Sequence, residues 1–116
     1  MPRSPRSQRV ADLIQHTLAP MLQHEAKDPR FAAVTITAVD VSPDLSNAIV
    51  FVSMLDETQI ASTVAALNKA SGYFRHRLAD AVELRITPRL HFRFDESISR
   101  GDRITKLINE ALNKKE

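Results

Sequence analysis

NKASGYFRHRL, residues 68–78, is the stretch on which the fold turns. Its neighbours on both sides favour helix, yet a glycine inside a helix costs about 1 kcal/mol relative to alanine. Gly72 is one of only two glycines in 116 residues, so it marks a break. Before it, Ile60, Val64 and Leu67, with alanines at 61, 65 and 66, form one helical face. Asp56, Glu57 and Thr58 supply the acidic first turn of that helix. After it, Phe74, Leu78, Ala81 and Val82 resume the same spacing. The gap is too short for an ordinary loop, so the stretch predicts two helices joined at a kink.

The flanking segments set the element order. Residues 8–23 carry Val10, Leu13, Ile14, Leu18, Met21 and Leu22 at helical spacing, with Ser7 as the expected N-cap. Pro20 should kink the last turn or end the regular helix near Ala19. After the turn-like Lys27-Asp28-Pro29, residues 32–41 and 47–55 read as strands around a turn at 42–46, which predicts an antiparallel hairpin whose register stays open. Residues 84–94 alternate, with Leu84, Ile86, Leu90, Phe92 and Phe94 on one face and Arg85, Thr87, Arg89, His91 and Arg93 on the other. Pro88 cannot donate a ladder hydrogen bond and argues for a bulge or an edge position. A final helix is expected over 102–113. The order helix, strand, strand, helix, helix, strand, helix gives an α+β fold: a three-stranded sheet with helices on one face.

Length and 43% hydrophobic content fit a single domain over 1–116, with a flexible basic arm at 1–7 and a polar tail at 113–116. The absence of cysteine excludes a disulfide framework, a thiolate metal site and a cysteine nucleophile. No apolar run follows the basic opening MPRSPRSQR as a signal peptide would require, and no apolar stretch is long enough to span a membrane. A soluble cytoplasmic protein is expected.

Net charge is only +2, but 11 Arg against 5 Lys favours groups suited to bidentate phosphate contact. Three clusters are candidates for RNA binding. Arg3, Arg6 and Arg9 lie in the arm; Lys69, Ser71, Gly72, Arg75 and Arg77 surround the kink; Arg85, Arg89 and Arg93 stripe the last strand beside His91. Gly72 would let a phosphate backbone approach the amides that open the second helix, or else would only let the helices change direction. The charges at 75–77 are either a phosphate-binding surface or a solvated face paired with Asp80 or Glu83. Like charges along one strand face repel, which favours an anionic partner, although acids on neighbouring strands are the alternative. With one Tyr and five Phe, mostly at core spacing, backbone or shape recognition is expected over base reading, and Tyr73 is the one candidate for stacking. His24-Glu25-Ala26-Lys27-Asp28 lacks the second histidine of a zinc-protease helix. No nucleophile–base constellation is present, so no catalytic residue, metal site or small-molecule substrate is expected.

KDPRF at 27–31, VDVSPDLSNAIVFVSML at 39–55, LNKASGYFRHRL at 67–78 and PRLHFRFDESISRGDRITKLI at 88–108 together resemble the ribosome-binding factor A family over nearly the whole chain. The resemblance implies a single type II KH-like domain in which an Ala-x-Gly kink, here Ala70-Ser71-Gly72, stands where RNA-binding KH domains carry a GxxG loop. It also implies a non-catalytic assembly factor, without cofactor, that binds the free small (30S) ribosomal subunit and its 16S rRNA. Such factors assist late maturation and 5′-end processing and are needed for growth in the cold. A monomer is expected. Pro20 departs from the continuous first helix of the family. Two other classes remain: a DNA-binding helix-turn-helix regulator, and a protein-interaction module using the open sheet face.

Overall fold

The computed structural model describes residues 5–25 and 27–96. Helix α1, Pro5–Pro20, buries Ala11, Ile14 and Leu18 along one face. It already includes Pro5 to Ser7, so these residues are helix rather than arm. Ser7 is buried within α1 instead of capping it. Pro20 ends the regular α-helix one residue later than expected, and Met21–Glu25 continue as a π-helical turn. A proline withholds one backbone donor, and a widened turn is a common way to absorb such an interruption. Met21 and Leu22 still reach the core.

A 3₁₀ turn at Pro29–Ala33 delays the first strand relative to expectation. Asp28 caps it, accepting from the Arg30 N–H at 3.0 Å and from the Arg30 guanidinium at 2.7 to 3.2 Å. These donors hold the Asp28 carboxyl below its ordinary value. Strand β1, Thr35–Val41, then pairs antiparallel with β2, Asn47–Ser53, with a bulge between Ile36 and Ala38. In the connecting turn the Ser42 N–H donates to the Asn47 carbonyl at 2.9 Å, and the Leu45 N–H to the Ser42 carbonyl at 2.8 Å. Leu45 takes a left-handed backbone, φ 64°. The Asp44 carboxylate accepts from both flanking serine hydroxyls at 2.7 Å and from the Ser46 N–H at 3.1 Å, which pulls its pKa down to about 2.

The third strand is shorter than the alternation of residues 84–94 suggests. β3 is Arg89–Phe94 and runs parallel to β2, with Asn47 opposite Arg89 and Val50 opposite Phe92. Pro88 has no N–H to offer, and the ladder starts only at the Arg89 N–H, which donates to Ser46 at 2.9 Å. Residues 84–87 form a loop in which Ile86 is 46% exposed, contrary to its expected place on the apolar face. The strand order is β1-β2-β3, so β3 is an edge, as Pro88 implied.

Alternation sorts the sheet into two faces. Val39, Val50 and Phe92 are buried in one row, and Val41, Ala48 and Leu90 in another. Helix α1 packs over β1, while α2, Ile60–Lys69, and α3, Ser71–Ala81, pack over β3. Phe74 of α3, only 1% exposed, lies between Phe31 and Phe92, with ring centroids 5.8 and 6.0 Å away. The opposite face, with Asp40, Ile49 and His91 in register, carries no described helix. The expected α+β sheet with helices on one face is therefore what forms. The helix expected over 102–113 lies outside the described residues.

Candidate nucleic-acid interface

One residue separates α2 from α3. Asp56 opens the approach, accepting from the Thr58 N–H at 3.1 Å at the head of a 3₁₀ turn, Glu57–Gln59, that leads into α2. Ala70, with φ −92° and ψ 5°, is the joint: its N–H closes α2 onto the Ala66 carbonyl at 3.0 Å, and its own carbonyl accepts the Phe74 N–H of α3 at 3.2 Å. Leu67 and Phe74, buried on either side, fix the two helices to the core. Asn68 adds a tether to the sheet, its amide donating to the Phe92 carbonyl at 2.9 Å and accepting the Phe92 N–H at 2.8 Å. Gly72 comes two residues after the joint, inside α3 and without positive φ. A Cβ built there meets nothing within 4 Å. The glycine is not what bends the chain; Ala70 and its anchors are.

Past the joint the outer edge of β3 and the first turn of α3 enclose a groove of about 500 Å³, lined by Asn68, Ser71, Gly72, Arg75, Arg89 and His91. Arg75 is aimed rather than loose. Its Nε and Nη2 both donate to the Thr87 carbonyl, at 3.1 and 3.0 Å, which leaves the rest of the guanidinium fork for an anion. His91 contacts Asn47 Oδ1 through Nε2 at 3.0 Å. The first amides of α3 lack helical acceptors and carry the positive end of the helix dipole. Two guanidinium groups, a helix N-terminus and a residue without a side chain thus share one concave surface. That combination suits phosphate oxygens independent of sequence.

Not every candidate joins this groove. Lys69 lies on the other side of the joint, and Arg77 is half-buried, two residues and over half a helical turn from Arg75. His76 pairs with Asp80 at 3.6 Å on an exposed face, as the solvated alternative had it. Arg85 is exposed in the loop before β3, so the expected four-residue stripe is reduced to Arg89, His91 and Arg93. Arg93 lines a separate hollow with Phe51, Asp95 and Glu96, where carboxylates stand close by. Asp40 on β1 also faces the open side of the sheet. Arg6 and Arg9 are exposed on α1, and Arg3 lies outside the described residues. Asn68 and the Thr87 carbonyl position the groove but went unpredicted, because neither role leaves a mark in periodicity or charge. Among the described residues no three His, Asp or Glu side chains gather as metal ligands, and no helix is long and apolar enough to cross a membrane.

The chain is similar to known proteins in sequence and in fold. Residues 6–108 match the model of the family described as ribosome-binding factor A. The chain is 50% identical over 111 residues to ribosome-binding factor A of Coxiella burnetii, covering 96% of this chain and 93% of that protein. It is similar to the crystal structure of ribosome-binding factor A from Thermus thermophilus, with TM-score 0.65, 30% identity and coverage of 75% and 93% of the two chains. A second similarity, TM-score 0.61 at 30% identity over 74% of this chain and 91% of the other, is to Thermus thermophilus coordinates fitted into the cryo-EM map of a 30S–RbfA complex. A match of this extent in sequence, together with the paired helices and three-stranded sheet, places the chain in the ribosome-binding factor A family.

Proposed function

We propose that this chain is a non-catalytic assembly factor that binds the free small (30S) ribosomal subunit through its 16S rRNA, with the groove beside the α2–α3 joint as the contact. One observation carries the assignment: Gly72, Arg75 and Arg89 line a single groove, with the Arg75 guanidinium already oriented. Family membership supplies the partner, since a Thermus thermophilus relative is fitted in a 30S complex. The same assignment extends to late maturation and 5′-end processing of 16S rRNA and to growth in the cold, with the protein acting as a cytoplasmic monomer of one domain. Ser71, Arg75 and Arg89 form the centre of the interface. Arg6 and Arg9 on α1, Lys69, Arg77, Arg85 and Arg93 are peripheral, and Arg3 extends the basic N-terminus. Helix-turn-helix binding to DNA loses support, because one residue at the joint is shorter than the three- or four-residue turn of that motif.

Sedimentation with purified free small subunits tests the proposal. At low salt the full-length protein should pellet with them, and affinity should fall steeply as salt rises. Arg75→Glu and Arg89→Glu should each weaken binding by about tenfold or more, since each removes a phosphate contact and adds a repulsive charge. Failure to pellet at low salt, or equal binding by the two folded variants, would overturn it.

A further inference from the structure

The α2–α3 joint has a second side, and its chemistry differs. Opposite the arginine groove, Phe31, Ala66, Ala70 and Tyr73 wall a pocket of about 520 Å³ with Lys27 and Lys69 at its rim. That volume lies within the range of about 300–1,000 Å³ typical of ligand sites. Tyr73 is 51% exposed, and its ring rests edge-on against buried Phe74, centroids 5.3 Å apart at 70°. Phe74 is itself held between Phe31 and Phe92, so the tyrosine has a rigid backing. Neither lysine has a carboxylate partner among the described residues, and the one acid at the rim, Asp28, is occupied by Arg30 at 2.7 Å. Among the described residues the pocket is thus an apolar, aromatic-walled recess with two unpaired lysines at its mouth.

We infer that this pocket receives an unpaired base of a single-stranded RNA segment, stacked on Tyr73, while Lys27 and Lys69 hold the flanking phosphates. The inference rests on the rRNA-binding assignment above and names a subsite within it. Continuity favours RNA over a protein side chain. Lys69 and Ala70 line the pocket while Ser71 and Gly72 line the groove, so the two surfaces meet at the joint. A strand crossing the first turn of α3 passes over Gly72, where no side chain stands in the way, and reaches both. Between them the groove and the pocket offer arginines, a tyrosine and lysines, the cationic and aromatic groups that a single strand's phosphates and bases engage. An apolar protein side chain would use the recess but would leave both lysines and the adjoining groove without a purpose.

The chain carries its own reporter, since Tyr73 is the only tyrosine and there is no tryptophan. Single-stranded oligoadenylate titrated into the full-length protein should quench tyrosine fluorescence with the same midpoint as the anisotropy change of labelled RNA, whereas duplex RNA should not quench. Tyr73→Ala should bind the oligonucleotide about ten- to a hundredfold more weakly, and Tyr73→Phe near wild type. Because the ring is half exposed, both variants should keep the wild-type thermal transition. If the oligonucleotide binds without quenching and Tyr73→Ala binds as tightly as wild type, the base subsite is wrong, although Arg75-dependent pelleting with subunits would leave the broader assignment standing. If Tyr73→Ala impairs subunit binding while RNA alone never quenches, the pocket holds a protein side chain and the base assignment is overturned.

Discussion

At residue 45 a leucine holds left-handed backbone, while at residue 72 a glycine sits in an ordinary helix with room for a side chain. The usual preferences of the two residue types are exchanged, and the surroundings explain each case. Leu45 is only 5% exposed and belongs to the core, so burial of its side chain offsets the cost of positive φ, roughly 1 kcal/mol for an L-residue. Gly72 is exposed, and among the described residues nothing occupies the space where its Cβ would stand. One position spends strain to bury a side chain; the other gives up helix propensity and keeps a surface clear. The hairpin turn therefore answers to packing, and the first turn of α3 to access.

The largest effect is expected at the turn. Leu45→Ala should destabilise the protein by about 2–4 kcal/mol, as truncation of a buried leucine does. Leu45→Gly should cost about 1 kcal/mol less, because it removes the same side chain and relieves the backbone. Urea unfolding of the pair decides the matter: a glycine variant less stable than the alanine variant would mean the turn is not strained. At the other position, Gly72→Ala should leave stability unchanged or raise it by about 0.5 kcal/mol, yet weaken pelleting with small subunits several-fold. A variant that is both more stable and equally bound would show that no phosphate backbone comes close there. The smallest effect concerns Asp44, whose ordinary value of 3.8 falls to about 2 in the folded turn. A depressed carboxyl stabilises the fold fully above about pH 4, and that contribution disappears as pH falls toward 2. In acid unfolding curves Asp44→Asn should flatten this window and leave the neutral-pH transition little changed.

Much of this architecture was legible in the chain. The periodicities at 60–67 and 74–82 located both helices around the joint, and Pro20 and Pro88 each marked a real boundary. Where the fold departs from the local pattern, or fixes a detail inside it, long-range contacts decide. Residues 84–87 alternate well, but alternation cannot extend a strand past a proline that offers no donor, nor prevent Arg75 from engaging the Thr87 carbonyl across the loop. Propensity singles out Gly72 within the expected Ala70-Ser71-Gly72 kink, and inside that kink the chain turns at Ala70, held by Leu67, Asn68 and Phe74. The site was half legible. Charge and glycine pointed to Arg75, Arg89 and the kink, but only the packing of α2 and α3 on β3, tied by Asn68 to Phe92, brings Arg89 and Gly72 to one groove, while Arg93 lines a separate hollow with Asp95 and Glu96.

The double hydrogen bond from Asn68 has a further effect, on how the molecule behaves in a crowd. An edge strand exposes a row of backbone donors and acceptors that any extended chain can copy, and this is how folded proteins begin to aggregate. Midway along β3, the Asn68 amide engages the N–H and C=O of Phe92 as a neighbouring strand would. An incoming strand finds that position taken. A single side chain thus guards the β3 edge of the sheet at its midpoint, while the groove next to it stays open.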